Sequence, residues 1–253
     1  MSKAKRKQET KETKQGFTSH LLALRSMVLR MALVVFAAFL LVFYVFNKPL
    51  VAFILQPVLA RGIQVIATRV SESLMMQFKL SLVAGLVISM PVLNWEIWRF
   101  IGPALYPKEK KAYWALLLTT ITLFFVGVVF SYLTVFPLAV SLFYEAGEGI
   151  ATSMWSVEGY FNFILSFVLP FGLMFELPVV IYLLARSGRV TAQGMGRARR
   201  YFILGAAVAA AILTPPDIVS QILLLIPILA LYEISVLIAR FIKPVEKAEE
   251  SAA

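Results

Sequence analysis

The chain has 253 residues, 60% of them hydrophobic and 15% charged, with a mean hydropathy of +0.83 and a net charge of +10. A soluble domain carries about a quarter charged residues, so this composition excludes an ordinary soluble core and points to a membrane protein. With no cysteine and a single histidine, His20, the chain offers no disulfide, no zinc site and no His- or Cys-based catalysis, and no metal or cofactor is expected.

Residues 1–19 are polar and basic and read as a disordered tail. The first apolar run has no small-residue cleavage site behind it, so a cleaved signal peptide is not expected. A basic amphipathic turn, 20–25, leads into the first span, 24–46, with Arg30 near its start, where a long side chain reaches the headgroups. Residues 47–73 hold Pro49, Pro57 and Gly62 around a ten-residue apolar patch, 50–59. That patch is too short to cross a bilayer as a helix and reads as an interfacial or capping loop. The second span is 74–100, interrupted by Lys79, Pro91 and Glu96, and a short polar loop follows at 101–111. The third span, 112–136, is uncharged, and 137–157 reads as a loop. The fourth span, 158–185, contains Pro170, Pro178 and the carboxylate Glu176, and residues 186–200 form a loop with five arginines.

The last apolar region is broken at Thr214-Pro215-Pro216-Asp217, because adjacent prolines stop a helix. It therefore reads as a hairpin of spans 200–214 and 218–242. The first of these covers only about 21 Å of a hydrocarbon core of about 30 Å. Residues 243–253 form a second tail. Segments 1–30, 99–111, 186–200 and 240–253 hold 8, 4, 5 and 3 of the 24 Lys and Arg residues. The positive-inside rule then places both termini in the cytoplasm. The expected fold is all-α, a cupped bundle of six transmembrane helices. The excess of cations reads as a topology signal, not a nucleic-acid footprint.

Several motifs stand out when the chain is read in order. They are Ser19-His20-Leu21-Leu22-Ala23-Leu24-Arg25, Pro57 in the first outer loop, and Phe100-Ile101-Gly102-Pro103-Ala104-Leu105-Tyr106-Pro107-Lys108-Glu109-Lys110-Lys111. Phe136-Pro137-Leu138, Phe175-Glu176-Leu177-Pro178, Arg199-Arg200-Tyr201, Leu213-Thr214-Pro215-Pro216-Asp217 with Ser220-Gln221, and Leu231-Tyr232-Glu233 complete the series. Together they resemble the TatC family of twin-arginine protein translocases, and the resemblance implies a non-enzymatic receptor in the bacterial cytoplasmic membrane. It would bind folded cargo through signal peptides with two consecutive arginines. It also implies single-span partner subunits TatB and TatA, a homo-oligomeric receptor complex, and export driven by the proton-motive force. In one place the sequence departs from the family: the first motif usually reads His-Leu-x-Glu-Leu-Arg, and here Ala23 stands in the glutamate's place.

Each candidate site residue has a plainer reading beside the functional one. Glu109 is either the carboxylate that takes a signal arginine, framed by Phe100, Pro103 and Tyr106, or a solvated loop charge paired with a neighbouring lysine. Leu21 and Arg25 belong to the same expected surface. Glu96 either supplies a second carboxylate in place of the one missing at Ala23 or is a helix-end charge reaching water. Glu176 lies deep in a span and either lines a wet polar concavity used in transport, with Pro57 in the outer loop, or is a neutral acid hydrogen-bonded within the bundle. The resemblance makes Thr214, Asp217, Ser220 and Gln221 a contact for a partner's helix; ordinary interhelical hydrogen bonds are the alternative. Two rival functions fit less well. A secondary transporter calls for paired broken helices and several buried ionisable groups, and an intramembrane enzyme calls for a nucleophile–base pair.

Overall fold

A computed structural model describes residues 3–105, 110–148 and 154–242, with side chains for 22–100, 113–148 and 154–242. Lipid supplies no hydrogen bonds to a backbone, so apolar runs of this length satisfy their peptide groups as helices. The first helix, α1 (Lys3–Leu41), continues through a wider π-turn, Val42–Phe46. At Phe46 the backbone leaves helical geometry (φ −105°, ψ 0°), which separates the span from α2 (Asn47–Leu59). A short strand, β1 (Gln64–Ile66), precedes α3 (Glu72–Leu105). The next span is α4 (Lys110–Phe130), which passes through a second π-turn, Ser131–Val135, into α5 (Phe136–Gly147). After β2 (Met154–Ser156) come α6 (Val157–Met174), α7 (Leu177–Arg186), α8 (Ala192–Leu213) and α9 (Ile218–Phe241).

Five of these segments are long and apolar enough to cross a membrane: 22–59, 72–100, 113–147, 157–186 and 218–241. The remaining helix, α8, has 22 residues, and its first turns carry Arg197, Arg199 and Arg200. The sequence reading placed those arginines in a loop. The helix instead begins at Ala192, where the Thr191 side chain accepts from the Gly194 N–H at 3.1 Å and satisfies one of the four free donors of the first turn. The apolar stretch remains as short as expected. At the other end of the chain, helix runs back to Lys3 through residues that composition suggested as a disordered tail. That segment is rich in Lys, Glu and Gln, which favour helix.

The end of the bundle opposite the arginine-rich segments is closed by a cap. Residues 136–147, expected as part of a loop, continue the third span as helix α5. In the cap, β1 and β2 pair in parallel, with Gln64 opposite Met154, Val65 opposite Trp155 and Ile66 opposite Ser156. Gly62, at φ 73°, makes the left-handed turn that frees β1 from α2. Ile54, Val58, Ile63, Met76, Leu80, Phe136, Val140, Tyr160, Phe161 and Ile164 bury one apolar cluster beneath the cap. The Tyr160 hydroxyl donates to the Ile54 carbonyl, and the Tyr132 hydroxyl donates to the Phe53 carbonyl at 2.9 Å.

Glu72 knots this region together. Its Oε2 accepts from the Thr68 N–H (2.6 Å), the Thr68 hydroxyl (2.8 Å) and the Arg69 N–H (3.0 Å), while Oε1 accepts from the Glu158 N–H (2.6 Å). One buried carboxylate thereby ties the loop before α3 to the first turn of α6.

Close helix packing fixes the rest. A Cβ added to Gly85 would lie 2.7 Å from the Phe39 backbone nitrogen, so α3 presses on α1 where only a hydrogen fits. A Cβ at Gly127 would lie 2.5 Å from the Phe171 carbonyl, which sets the approach of α4 to α6 in the same way. The α8–α9 hairpin is held by the Phe202 ring stacked on Tyr232 (3.9 Å between centroids) and by Arg199 Nε 2.6 Å from Glu233 Oε1. Glu233 thus has a partner on α8.

Candidate functional site

Two polar regions stand out in this apolar bundle, one at its arginine-rich end and one at mid-depth. The first is built where α1 begins its apolar run and α3 ends its own. Glu96 points from α3 and takes the guanidinium of Arg30 on α1. Nε donates to Oε1 at 3.1 Å and Nη2 donates to Oε2 at 2.8 Å, a two-pronged contact. Arg99, one turn further along α3, lies 3.7 Å from Oε1. Arg30 is therefore not a lone cation reaching the headgroups, and Glu96 is not a free helix-end charge. The sequence did hold the signal for this pair: two opposite charges, each just inside an apolar run, at the same end of the bundle.

Beyond Glu96, α3 carries Phe100 and Pro103 into its last turns and ends at Leu105; α4 opens at Lys110. Tyr106 and Glu109 lie outside the described residues, as do the side chains of Leu21 and Pro103. The helices flanking that loop are clamped by aromatic contacts. Trp95 and Trp114 sit 5.1 Å apart, and Trp98 meets Tyr113 edge-on at 6.0 Å. These rings hold α3 against α4, and Lys110, which opens α4, directly follows Glu109. Arg25 is exposed on α1.

The second region surrounds Glu176. Pro178 cannot donate to the carbonyl four residues before it, and the fourth span breaks there into α6 and α7. Glu176 occupies that break, and its carbonyl accepts from the N–H groups of Val179 and Val180 at 3.0 and 3.1 Å. Its carboxyl group accepts from Nδ2 of Asn94, which is buried on α3, at 3.4 Å. Asn94, Trp98, Thr120, Glu176, Val179, Val180 and Leu183 line a cavity of about 150 Å³, with room for several water molecules. Asn94 was not singled out from sequence, since one asparagine in an apolar run carries no spacing signal.

The residues flanking the Pro215-Pro216 turn find partners within the chain. The Thr214 hydroxyl donates to the Ala210 carbonyl (2.8 Å), Gln221 Nε2 donates to the Ala207 carbonyl (3.1 Å), and Asp217 caps α9 by accepting from the Ser220 N–H (2.7 Å). The buried Ser220 hydroxyl makes no hydrogen bond among the described residues. Pro57 lies in the last turn of α2, where its carbonyl accepts from Arg61 at 3.0 Å. Lys79, on α3, donates to Asn162 on α6 at 3.2 Å.

This architecture defines a multi-pass α-helical membrane protein with ion pairs toward the two ends of the bundle and a carboxylate held at its middle. Residues 19–227 match the family described as Sec-independent protein translocase protein (TatC). A TatC protein of Carboxydothermus hydrogenoformans is 39% identical over 78% of this chain and 82% of its own length. One from Escherichia coli is 37% identical over 91% of this chain and 90% of its own. Among solved structures, a crystal structure of the twin-arginine translocase receptor TatC superposes with a TM-score of 0.80 at 37% identity, covering 87% of this chain and 97% of that one. The chain belongs to the TatC family. It is a protein-translocase component and not an enzyme.

Proposed function

We propose that the chain is the signal-peptide receptor and core subunit of a twin-arginine translocase, and that it reads the paired arginines of folded cargo with carboxylates at the arginine-rich end of the bundle. The observation that carries this reading is the likeness to a solved twin-arginine translocase receptor over 97% of that receptor's chain. The geometry supports it: Glu96 already takes a guanidinium in a two-pronged contact, and Glu109 sits in the motif that resembles the family's recognition loop. The arginine-rich end then faces the cytoplasm, with both termini, in a bacterial inner membrane. TatB and TatA are its single-span partners, with the α8–α9 hairpin offering Thr214, Asp217, Ser220 and Gln221 to a partner helix. Several copies assemble in the receptor complex, and the proton-motive force drives export. The cavity beside Glu176 serves a later step than docking.

The affinity of a labelled twin-arginine signal peptide for the chain in nanodiscs tests the reading. Glu109→Ala should weaken it by about 10- to 150-fold, the worth of a charge-assisted hydrogen bond. Glu109→Gln should lose nearly as much. Unchanged affinity in a folded Glu109→Ala variant means that the arginines are read elsewhere.

A further inference from the structure

Glu96 offers two oxygens, and a single guanidinium from the same chain occupies both. A planar fork on a carboxylate is the contact that an arginine of a signal peptide would make and that a lysine cannot reproduce. With Arg30 in place, the Glu96 side chain is 11% exposed while that of Arg30 is 46% exposed. The carboxylate is thus shielded and the guanidinium that shields it is half exposed. Arg99 stands 3.7 Å from the same carboxylate, so Arg30, Arg99 and Glu96 together carry a net charge of +1. An approaching cationic peptide is repelled by this group while Arg30 stays, and meets a free fork acceptor once it leaves. The two partners sit on different helices, α1 and α3. Exchange therefore needs only a rotamer change in one long side chain, and a half-exposed ion pair holds that side chain weakly.

Building on the receptor reading, we propose that Arg30 is an internal competitor for signal arginines. It holds Glu96 in the resting receptor, Glu96 becomes a second arginine contact only when Arg30 swings off, and docking affinity is scaled by the fraction of molecules in which it has done so. This device sets a threshold. A peptide bearing two arginines displaces Arg30, and one whose cations cannot form the fork does not.

The test is a double-mutant cycle on the full chain in nanodiscs, read by affinity for a labelled twin-arginine peptide. A half-exposed pair is open in roughly a tenth to a third of molecules, so Arg30→Gln should tighten binding about 3- to 10-fold. Arg30→Lys, which keeps the charge and loses the fork, should tighten it less. In a Glu96→Gln background, Arg30→Gln should change nothing. Equal or weaker binding by Arg30→Gln, or its failure to fold, overturns the competitor and leaves the pair as a clamp between α1 and α3. A wild-type chain that does not bind the peptide at all instead removes the receptor reading.

Discussion

A carboxylate at the middle of a span is held at a cost of at least about 2.5 kcal/mol, so its surroundings have to be built. Here they are built by a proline-induced break, a buried amide and a small cavity. The proline and Glu176 were legible in the sequence because both are conspicuous in an apolar run. The amide was not, because Asn94 meets Glu176 across 82 residues of chain. Asn94 is the informative position. Its single bond to Glu176, 3.4 Å long, is a weak one, and intramembrane hydrogen bonds average about 0.6 kcal/mol. Asn94→Leu should therefore lower export by roughly 3- to 10-fold while leaving signal-peptide affinity unchanged. In Glu176→Ala, which should itself reduce export, the same change should have no further effect. An additive loss in the double variant would show that Asn94 acts apart from Glu176.

At the scale of elements, two kinds of structure escaped the sequence. Both depend on contacts between distant segments. The β1–β2 pair joins three-residue strands some ninety positions apart, too short to show alternation, and Glu72 makes its hydrogen bonds to backbone groups that no residue pattern reveals. The long apolar helices, in contrast, follow from apolar runs alone, and their ends moved, as at Ala192, where a cap starts α8 ahead of the arginines, and at Gly147, where backbone bonding continues past Pro137. The cap gives the element-scale prediction. Removing the Glu72 carboxylate leaves three backbone N–H groups without their acceptor in a part-buried place. Glu72→Ala should lower the apparent melting temperature in detergent by about 5–10 °C. Glu72→Gln should recover little, because its amide nitrogen would face donors. An unchanged melting temperature would mean that the β1–β2 pair and the cluster around Tyr160 hold the cap without this clasp.

For the molecule as a whole, orientation is decided by charge. The arginine-rich segments gather at one end of the bundle, and the opposite end, under the cap, holds only Lys48, Arg61, Arg69 and Lys79. Two of those four are engaged locally: Arg61 with the Pro57 carbonyl and Ser141, and Lys79 with Asn162 and Glu158. On the proposed receptor reading, the rule that cations stay on the cytoplasmic side would put the cap outside and the Arg30–Glu96 pair inside, where a signal peptide would arrive before export. The chain has no cysteine, so a single one can be placed anywhere without a background signal. Glu148, exposed beyond α5, and Gln193, exposed in the first turn of α8, lie at opposite ends of the bundle. In intact cells an impermeant maleimide should label a cysteine at 148 and leave one at 193 untouched until the membrane is permeabilised. The reverse pattern would invert the molecule, put both carboxylates proposed to read signal arginines on the wrong side for cytoplasmic cargo, and with that end the receptor reading at its base.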